Sequence, residues 1–347
     1  MIKQKKTELI YLRALICISI VLIHLITTYT NDLQESDIEQ LKLTFYVQNI
    51  LIFATPSFII LSQLLTTLNY KKVTLSYLLT RFKYIFIPYL IMGTFYSFTE
   101  SLKVNNNFWE QFYENVILGY WYGYFIVVIL QFFILSYLVY KITPKIFNSK
   151  LFLLLSFIIQ IVFLNLLNNN KSFADTFHHI YPLSDNTFIL GWIFFFFLGG
   201  YLGANYVKII NFLNNYLIII IFLAIIAFLV FSFAFSHDYW TVTSFSSKLI
   251  PYHTFMFLLL LGLCSHFNNF MFYSINLING FSFFIYLLHP IILEEMYNFT
   301  SIFMDYTIPF IAISLLFILG LCIGVGILLK EFYIFRFIIG KQPYKIV

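Results

Sequence analysis

The chain has 347 residues, of which 61% are apolar and only 10% are charged, and its formal net charge is +5. Soluble domains contain roughly 45–50% apolar and ~25% charged residues, so this composition excludes a soluble fold and predicts a protein embedded in the lipid bilayer. No nucleotide-binding loop or nucleic-acid-binding motif is present, so nucleic acid is not an expected partner.

The apolar residues fall into segments long enough to cross a membrane, which takes ~20 residues for ~30 Å of hydrocarbon. The first segment is longer than the ~7–15-residue core of a signal peptide and lacks a small-residue cleavage site, so it predicts a membrane helix. The sequence therefore predicts an all-α bundle of about ten transmembrane helices, forming a single integral membrane domain over residues 1–347. The predicted spans are residues 9–29, 43–68, 84–102, 116–140, 151–168, 187–206, 212–235, 250–268, 275–297 and 308–329.

The charged residues predict the orientation of these spans. If the N-terminus lies inside, most of the 20 Lys and Arg residues fall at the cytoplasmic ends of the spans, including Lys3, Lys5, Lys341 and Lys345. An excess of Lys and Arg on cytoplasmic loops sets membrane topology. We therefore expect a multi-pass protein of the cytoplasmic membrane with both termini in the cytoplasm.

The first span carries two ionisable residues, Arg13 and His24. Eleven residues at ~100° each come to ~20° past three full turns, so both side chains lie on one face, ~16 Å apart along the helix axis. Ionisable residues inside a span are costly and mark candidate functional sites. Arg13 alone could be an interfacial anchor, and a single intramembrane His often only packs, but the pair on one face favours function.

Small residues and cysteines in the spans predict packing and not chemistry. Glycine pairs at a spacing of four let helix backbones approach closely. They predict packing within the chain, with dimerisation as the alternative. The pairs are Gly119 with Gly123, Gly199 with Gly203, and Gly320 with Gly324. Cys17, Cys264 and Cys322 each lie inside an apolar run, which predicts buried free thiols. His178 and His179 have no nearby Cys, so no metal site is expected.

Five segments in chain order resemble the acyltransferase 3 family. They are Leu12-Arg13-Ala14 with His24 after Arg13 and ten intervening residues, Thr55–Ser62, Arg81-Phe82-Lys83 leading into Ile87-Pro88-Tyr89, Trp121-Tyr122, and Ser282–Pro290. Members of that family are membrane-embedded O-acyltransferases acting on sugars. The resemblance therefore implies acyl transfer to a sugar hydroxyl, with acyl-CoA as the donor substrate and no tightly bound cofactor.

The resemblance also implies roles for individual residues. His24, a residue type whose unperturbed pKa lies near neutrality, would take the hydroxyl proton. Arg13, on the same helix face but nearer the cytoplasmic end, would belong to the catalytic site and contact the donor phosphates. Arg81 and Lys83 would bind the phosphates of the donor, although topology-setting charge explains them equally well. Glu100, Trp121 and Tyr122 would bind the acceptor; the alternatives are a solvated helix end for Glu100 and an interfacial aromatic belt for the two rings.

Three further segments narrow the expected substrate. Phe53–Tyr70, Trp121–Tyr137 and Arg336–Lys345 are similar to family members associated with the biofilm polysaccharide poly-β-1,6-N-acetylglucosamine. The resemblance implies transfer of a succinyl or acetyl group to this polymer, with a membrane polysaccharide synthase as a further partner. Two alternatives stay open: an exporter of the polymer, and a non-catalytic subunit of its synthase.

Overall fold

The computed structural model describes residues 6–31, 33–266, 270–296, 300–332 and 335–339. All regular structure in these ranges is helical, which confirms the predicted all-α fold. The α-helices are α1 (Thr7–Thr30), α2 (Glu35–Gln40), α3 (Lys42–Leu51), α4 (Ala54–Asn69), α5 (Leu75–Val104), α6 (Phe108–Phe112), α7 (Tyr124–Ile142), α8 (Lys150–Asn169), α9 (Lys171–Ile180), α10 (Ile193–Ala204), α11 (Tyr206–Ala234), α12 (Ile250–Cys264), α13 (Phe272–Met296), α14 (Thr300–Asp305), α15 (Thr307–Glu331) and α16 (Arg336–Ile339). Short π and 3-10 segments lie between them at Tyr113–Ile117, Pro144–Asn148, Asp185–Thr187, Ile189–Gly191 and Ser247–Leu249.

Among the described residues, eight helical segments are long and apolar enough to cross a membrane. They are Thr7–Thr30, Lys42–Asn69, Tyr124–Ile142, Lys150–Asn169, Tyr206–Ala234, Ser247–Cys264, Phe272–Met296 and Thr307–Glu331. Each corresponds to one of the ten predicted spans. The molecule is therefore a multi-pass membrane protein.

The other two predicted spans differ from a simple apolar helix. Residues 84–102 lie on α5, which is 30 residues long but carries Arg81, Lys83, Glu100 and Lys103. Residues 187–206 include α10, whose 12 residues rise only ~18 Å. Helix α5 is therefore more polar, and α10 shorter, than a standard membrane-spanning helix.

The predicted span 43–68 is broken in the middle. Helix α3 ends at Leu51, α4 begins at Ala54, and Ile52 and Phe53 form a turn. Pro56 explains the break, because proline lacks the N–H that would donate to the carbonyl four residues earlier, at Ile52.

The described residues divide into two compact units. Unit 1 comprises Met1–Phe58, Ile210–Ser244 and Lys248–Val347, and unit 2 comprises Ile59–Ile209 and Phe245–Ser247. In unit 1, α1 packs most extensively against α13 and also contacts α3, α12 and α15. In unit 2, α5 packs against α7, and α8 packs against α10.

Contacts in unit 1 fix the direction of its helices. Tyr29 near the end of α1 meets Phe310 near the start of α15, with ring centroids 5.3 Å apart. Gly326 near the end of α15 packs against Phe281 in the first half of α13. Helix α13 runs parallel to α1, since Cys17 of α1 meets Ser282 and His24 meets His289. Helices α1 and α15 are thus antiparallel, so the start of α1 and the end of α15 lie at the same end of unit 1. The end of unit 1 at Thr30 is called the distal end below.

The cytoplasmic placement of both termini stays a prediction. Lys3, Lys5, Lys341 and Lys345 lie outside the described residues, as does the larger part of the segment Arg336–Lys345. The antiparallel arrangement of α1 and α15 agrees with an even number of crossings between them, but it does not identify the side of the membrane.

Glycine pairs of identical spacing have different surroundings. A Cβ built at Gly199 would lie 2.3 Å from the Ile60 carbonyl oxygen, and one at Gly203 would lie 2.7 Å from that of Leu64. These two glycines therefore let α10 approach the backbone of α4, as small residues in membrane helices do. Gly320 and Gly324 have no neighbouring atom within 4 Å among the described residues.

Candidate active site

Helix α1 carries Arg13 and His24 on one face, and both side chains are half-buried in the protein. The residues around them, including Leu12, Cys17 and Leu25, are almost completely buried. Helix α1 is therefore enclosed by protein over most of its surface, and not laid against lipid along one side.

The neighbour of His24 is a second histidine. The rings of His24 and His289 on α13 lie edge to face, with centroids 5.1 Å apart and an interplanar angle of 66°. His289 is fully buried. His289 belongs to the segment Ser282–Pro290 that carries the family resemblance, but its contact with His24 was not predicted from the sequence.

The environment of His289 selects its tautomer. Its Nδ1 lies 2.9 Å from the Ile285 carbonyl oxygen, and because a carbonyl can only accept, Nδ1 carries the hydrogen. The Nε2 atom of the neutral ring then presents a lone pair. Pro290 inside α13 has no N–H, so the Tyr286 carbonyl lacks its usual helical donor. The backbone hydrogen bonding of α13 is therefore interrupted next to His289.

Three contacts in the same order along both segments join α1 to α13 and to Phe270, two residues before α13. The Tyr11 hydroxyl donates to the Phe270 carbonyl at 2.7 Å, the Cys17 thiol approaches the Ser282 carbonyl at 3.7 Å, and the two histidines follow. Helices α1 and α13 are therefore parallel. All three cysteines are free and buried, as predicted, and Cys17 serves in this packing.

Arg81 and Lys83 occupy different environments on α5 in unit 2. The Arg81 guanidinium lies over the rings of Tyr77 and Phe133, at 4.9 and 5.6 Å from their centroids, a cation–π arrangement. Lys83 is exposed. Two residues turn a helix by ~200°, so the two cations point to opposite sides, and their donor-binding role stays a prediction.

Glu100 lies in a network of amides in unit 2. Its Oε2 accepts hydrogen bonds from Asn115 Nδ2 and, at 3.1 Å, from Gln111 Nε2. Asn115 is 2% exposed and its Nδ2 also lies 3.5 Å from Ser97 Oγ. The carboxylate is thus held by neutral donors through one oxygen. Sequence patterns did not indicate these amides, because Gln111 lies in α6 and Asn115 in the π segment after it, and neither belongs to α5.

Trp121 and Tyr122 form an aromatic group with Tyr96 of α5. The Trp121 ring centroid lies 4.8 Å from that of Tyr122 and 5.5 Å from that of Tyr96. Trp121 is only 8% exposed, and its Nε1 donates to the Tyr89 hydroxyl at 3.3 Å. A Cβ at Gly123 would come within 2.3 Å of the indole, so this ring is seated in the protein, whereas Tyr122 is half-exposed.

The candidate residues therefore form two groups. Arg13 and His24 belong to unit 1, where His24 contacts His289. In unit 2, Glu100 is held by amides, Trp121 and Tyr122 pack with Tyr96, and Arg81 and Lys83 lie on the earlier part of α5. Chemically, the first group offers an imidazole pair for proton transfer, and the second offers a hydrogen-bonded carboxylate and a separate set of aromatic rings.

Comparison with known proteins identifies the family. The family model of acyltransferase 3, described as an acyltransferase domain, matches residues 6–329. A "probable poly-beta-1,6-N-acetyl-D-glucosamine export protein" of Staphylococcus aureus (strain MSSA476) is 59% identical over 99% of this chain and 98% of its own length. A protein of the same name from Staphylococcus epidermidis is 58% identical over 99% of this chain and 97% of its own. No solved structure matches. The chain belongs to the acyltransferase 3 family of membrane proteins.

Proposed function

We propose that this protein is a membrane O-acyltransferase that modifies poly-β-1,6-N-acetylglucosamine. The observation that carries the proposal is the contact of His24 with His289, which lie on α1 and α13, two of the helices that bear family segments. The family description supplies the reaction class, and the names of the Staphylococcus relatives supply the polymer.

The proposed reaction moves a succinyl or acetyl group from acyl-CoA to a sugar hydroxyl. His24 accepts the hydroxyl proton while the sugar oxygen attacks the thioester carbonyl. The tetrahedral intermediate then expels the CoA thiolate, which takes the proton from the imidazolium, so an ester and free CoA–SH are formed. His289 holds the His24 ring in position by edge-to-face packing. The His289 ring is itself held by the hydrogen bond from its Nδ1 to the Ile285 carbonyl.

The predicted topology assigns a direction to this reaction. With the start of α1 in the cytoplasm, Arg13 lies toward the donor side, and its planar fork of N–H groups suits a phosphate or thioester-bearing arm. The distal end then faces outward, where the polymer is met. Arg81 and Lys83 would add donor contacts, Glu100, Trp121 and Tyr122 would add acceptor contacts, and the membrane synthase of the polymer would be the partner that supplies the acceptor.

Replacement of His24 by Ala tests the proposal. A positioned general base contributes roughly 10²–10⁴-fold to the rate, so we expect a loss of that order in polymer ester content at equal membrane insertion. His266→Ala is the matched control, because His266 is an exposed histidine of the same unit and its loss should change nothing. Unchanged ester content in His24→Ala would refute the assignment.

Arg13 gives a separate test of the donor side. Arg13→Ala should raise the KM for acyl-CoA more than it lowers kcat, and Arg13→Lys should recover part of the loss, because a lysine keeps the charge without the planar fork. An unchanged KM for acyl-CoA in Arg13→Ala would remove this residue from the donor site.

Export of the polymer is the second candidate function, and the name of the Staphylococcus relatives favours it. The two functions separate when surface polymer and ester content are measured independently in His24→Ala cells. Normal surface polymer without esters supports the transferase. Retained polymer that still carries esters supports the exporter.

A further inference from the structure

An aromatic cluster lies at the distal end of unit 1, in the same unit as His24. Tyr239, in the segment between α11 and α12, has Tyr46 of α3 stacked on its ring at 5.5 Å and 13°. Trp240 meets the same ring edge to face at 4.9 Å. These three residues, with Glu39 and Lys42, are called the Tyr239 cluster.

Tyr239 is fixed at both its side chain and its backbone. Its hydroxyl donates to Glu39 Oε1 at 3.3 Å, and its carbonyl accepts from Asn49 Nδ2 at 2.9 Å. Burial together with the Glu39 carboxylate raises the pKa of Tyr239, so the phenol stays protonated and remains a donor. Lys42 Nζ lies 5.3 Å from the centre of the ring and 3.8 Å from Glu39 Oε2.

The residues around this fixed ring remain accessible. Tyr46 and Trp240 are half-buried, and the side chains of Glu39 and Lys42 are 64% and 49% exposed. The cluster therefore presents aromatic faces bordered by a carboxylate and an ammonium group. Aromatic faces suit the apolar C–H face of a pyranose ring, and the two charged groups accept from and donate to its hydroxyl and amide groups.

A polar contact connects α3 to the helix that bears His24. Gln48 Nε2 donates to Thr27 Oγ1 at 2.8 Å, and Thr27 follows His24 by three residues, or ~4.5 Å of helix rise. Asn49, the next residue of α3, donates its side-chain amide to the Tyr239 carbonyl at 2.9 Å. Helix α3 therefore contacts α1 one turn beyond His24 through Gln48 and holds Tyr239 through Asn49.

We propose that the Tyr239 cluster is a saccharide subsite that holds a sugar of the acceptor polymer next to the one presented to His24. The proposal rests on the proposed function and concerns residues of unit 1 alone. The competing role is that of an interfacial aromatic belt, which anchors a membrane protein in the headgroup region. A belt needs no carboxylate hydrogen-bonded to its central phenol.

The test measures binding of β-1,6-linked N-acetylglucosamine oligomers of increasing length to the full chain in lipid nanodiscs. In the wild type we expect affinity to rise from the monosaccharide to the oligomers. Trp240→Ala and Tyr46→Ala should weaken oligomer binding about tenfold, the change expected from one lost aromatic contact, and leave acyl-CoA binding unchanged. Trp240→Phe, which keeps an aromatic ring, should retain most of the affinity.

Trp109→Ala is the control, because Trp109 is a 72% exposed tryptophan of unit 2. An equal loss in Trp109→Ala, or oligomer affinity unchanged in Trp240→Ala, overturns the subsite. A lower thermal midpoint in Trp240→Ala at unchanged affinity assigns the cluster to the aromatic belt. Binding needs no turnover, so length-dependent affinity in His24→Ala supports the subsite even if no ester is ever formed. The binding assay therefore tests the subsite separately from the proposed transferase activity.

Discussion

Replacement of Gly199 by Ala should destabilise unit 2 through a single methyl group. The added Cβ would lie 2.3 Å from the Ile60 carbonyl oxygen and 3.0 Å from its carbonyl carbon, whereas ordinary contacts of this kind begin near 3.4 Å. Both atoms belong to the backbone of α4, which cannot rotate away as a side chain can. Helices α10 and α4 would therefore have to separate by about 1 Å, which disturbs packing along their whole contact.

The magnitude follows from two opposing terms. Overpacking a closely packed contact costs ~1–3 kcal/mol, and a rigid backbone neighbour places this case at the upper end. Alanine in place of glycine inside a helix gains ~0.5–1 kcal/mol. We therefore expect Gly199→Ala to lose about 2 kcal/mol of unfolding free energy.

Gly320→Ala is the matched control, because Gly320 has the same spacing to a second glycine but no described neighbour within 4 Å. It should keep the helix-propensity gain without the clash. Thermal unfolding of the two variants in one detergent, at one heating rate, measures the difference. Equal midpoints for Gly199→Ala and Gly320→Ala would refute the argument that backbone contact, and not glycine spacing, decides the effect.

Two further predictions concern the candidate sites. His289→Ala should lower acyl transfer about as much as His24→Ala. The double variant should lose little more than either single variant, because the effects of residues that act as a unit are not additive. Additive losses in the ester assay would show that the two rings act separately. Asn115→Leu should destabilise the protein by ~2–3 kcal/mol, since it removes a buried donor to a carboxylate, and should raise the KM for the acceptor. Gln111→Leu loses a 3.1 Å hydrogen bond to the same Glu100 oxygen, but Gln111 is only half-buried, so the loss of stability should be smaller than in Asn115→Leu. A larger loss in Gln111→Leu would contradict this reasoning.

Periodicity and composition predicted the helices but not their neighbours. The spacing of Arg13 and His24 indicates a common face of α1, and apolar length indicates the spans, because both are properties of a single helix. The contact of His24 with His289 joins residues 265 positions apart, and no local pattern encodes which helix packs against α1. The same limit applies to the amides around Glu100, since Asn115 lies in an irregular π segment.

Glycine spacing illustrates why a motif alone does not determine a contact. The pair Gly199 and Gly203 packs on backbone, the pair Gly320 and Gly324 meets no described neighbour, and Gly119 has φ +79° in a turn. Among these three pairs, only Gly199 with Gly203 lets two helix backbones of the described residues approach closely, as the sequence predicted. The motif permits a close approach, and the partner helix decides whether the approach is made.

Asn279 offers a test in which stability and activity should change in opposite directions. Its side chain is 2% exposed, and its Nδ2 has no acceptor among the described residues. A buried amide without a partner costs ~1–3 kcal/mol, and hydrocarbon supplies no water to relieve it. Asn279→Leu, which keeps the branched arrangement of side-chain heavy atoms, should therefore raise the thermal midpoint of the solubilised protein.

A residue that lowers stability is retained when function needs it. Asn279 precedes Ser282, the residue whose carbonyl meets Cys17 of α1, so it lies on the α13 side that carries the histidine pair. We expect Asn279→Leu to reduce acyl transfer while it stabilises the fold, with Ser314→Ala on α15, another buried group without a described partner, as the control that changes stability alone. A lower thermal midpoint in Asn279→Leu would show that the amide already has a partner, and a raised midpoint with full activity would show that the amide serves neither packing nor catalysis.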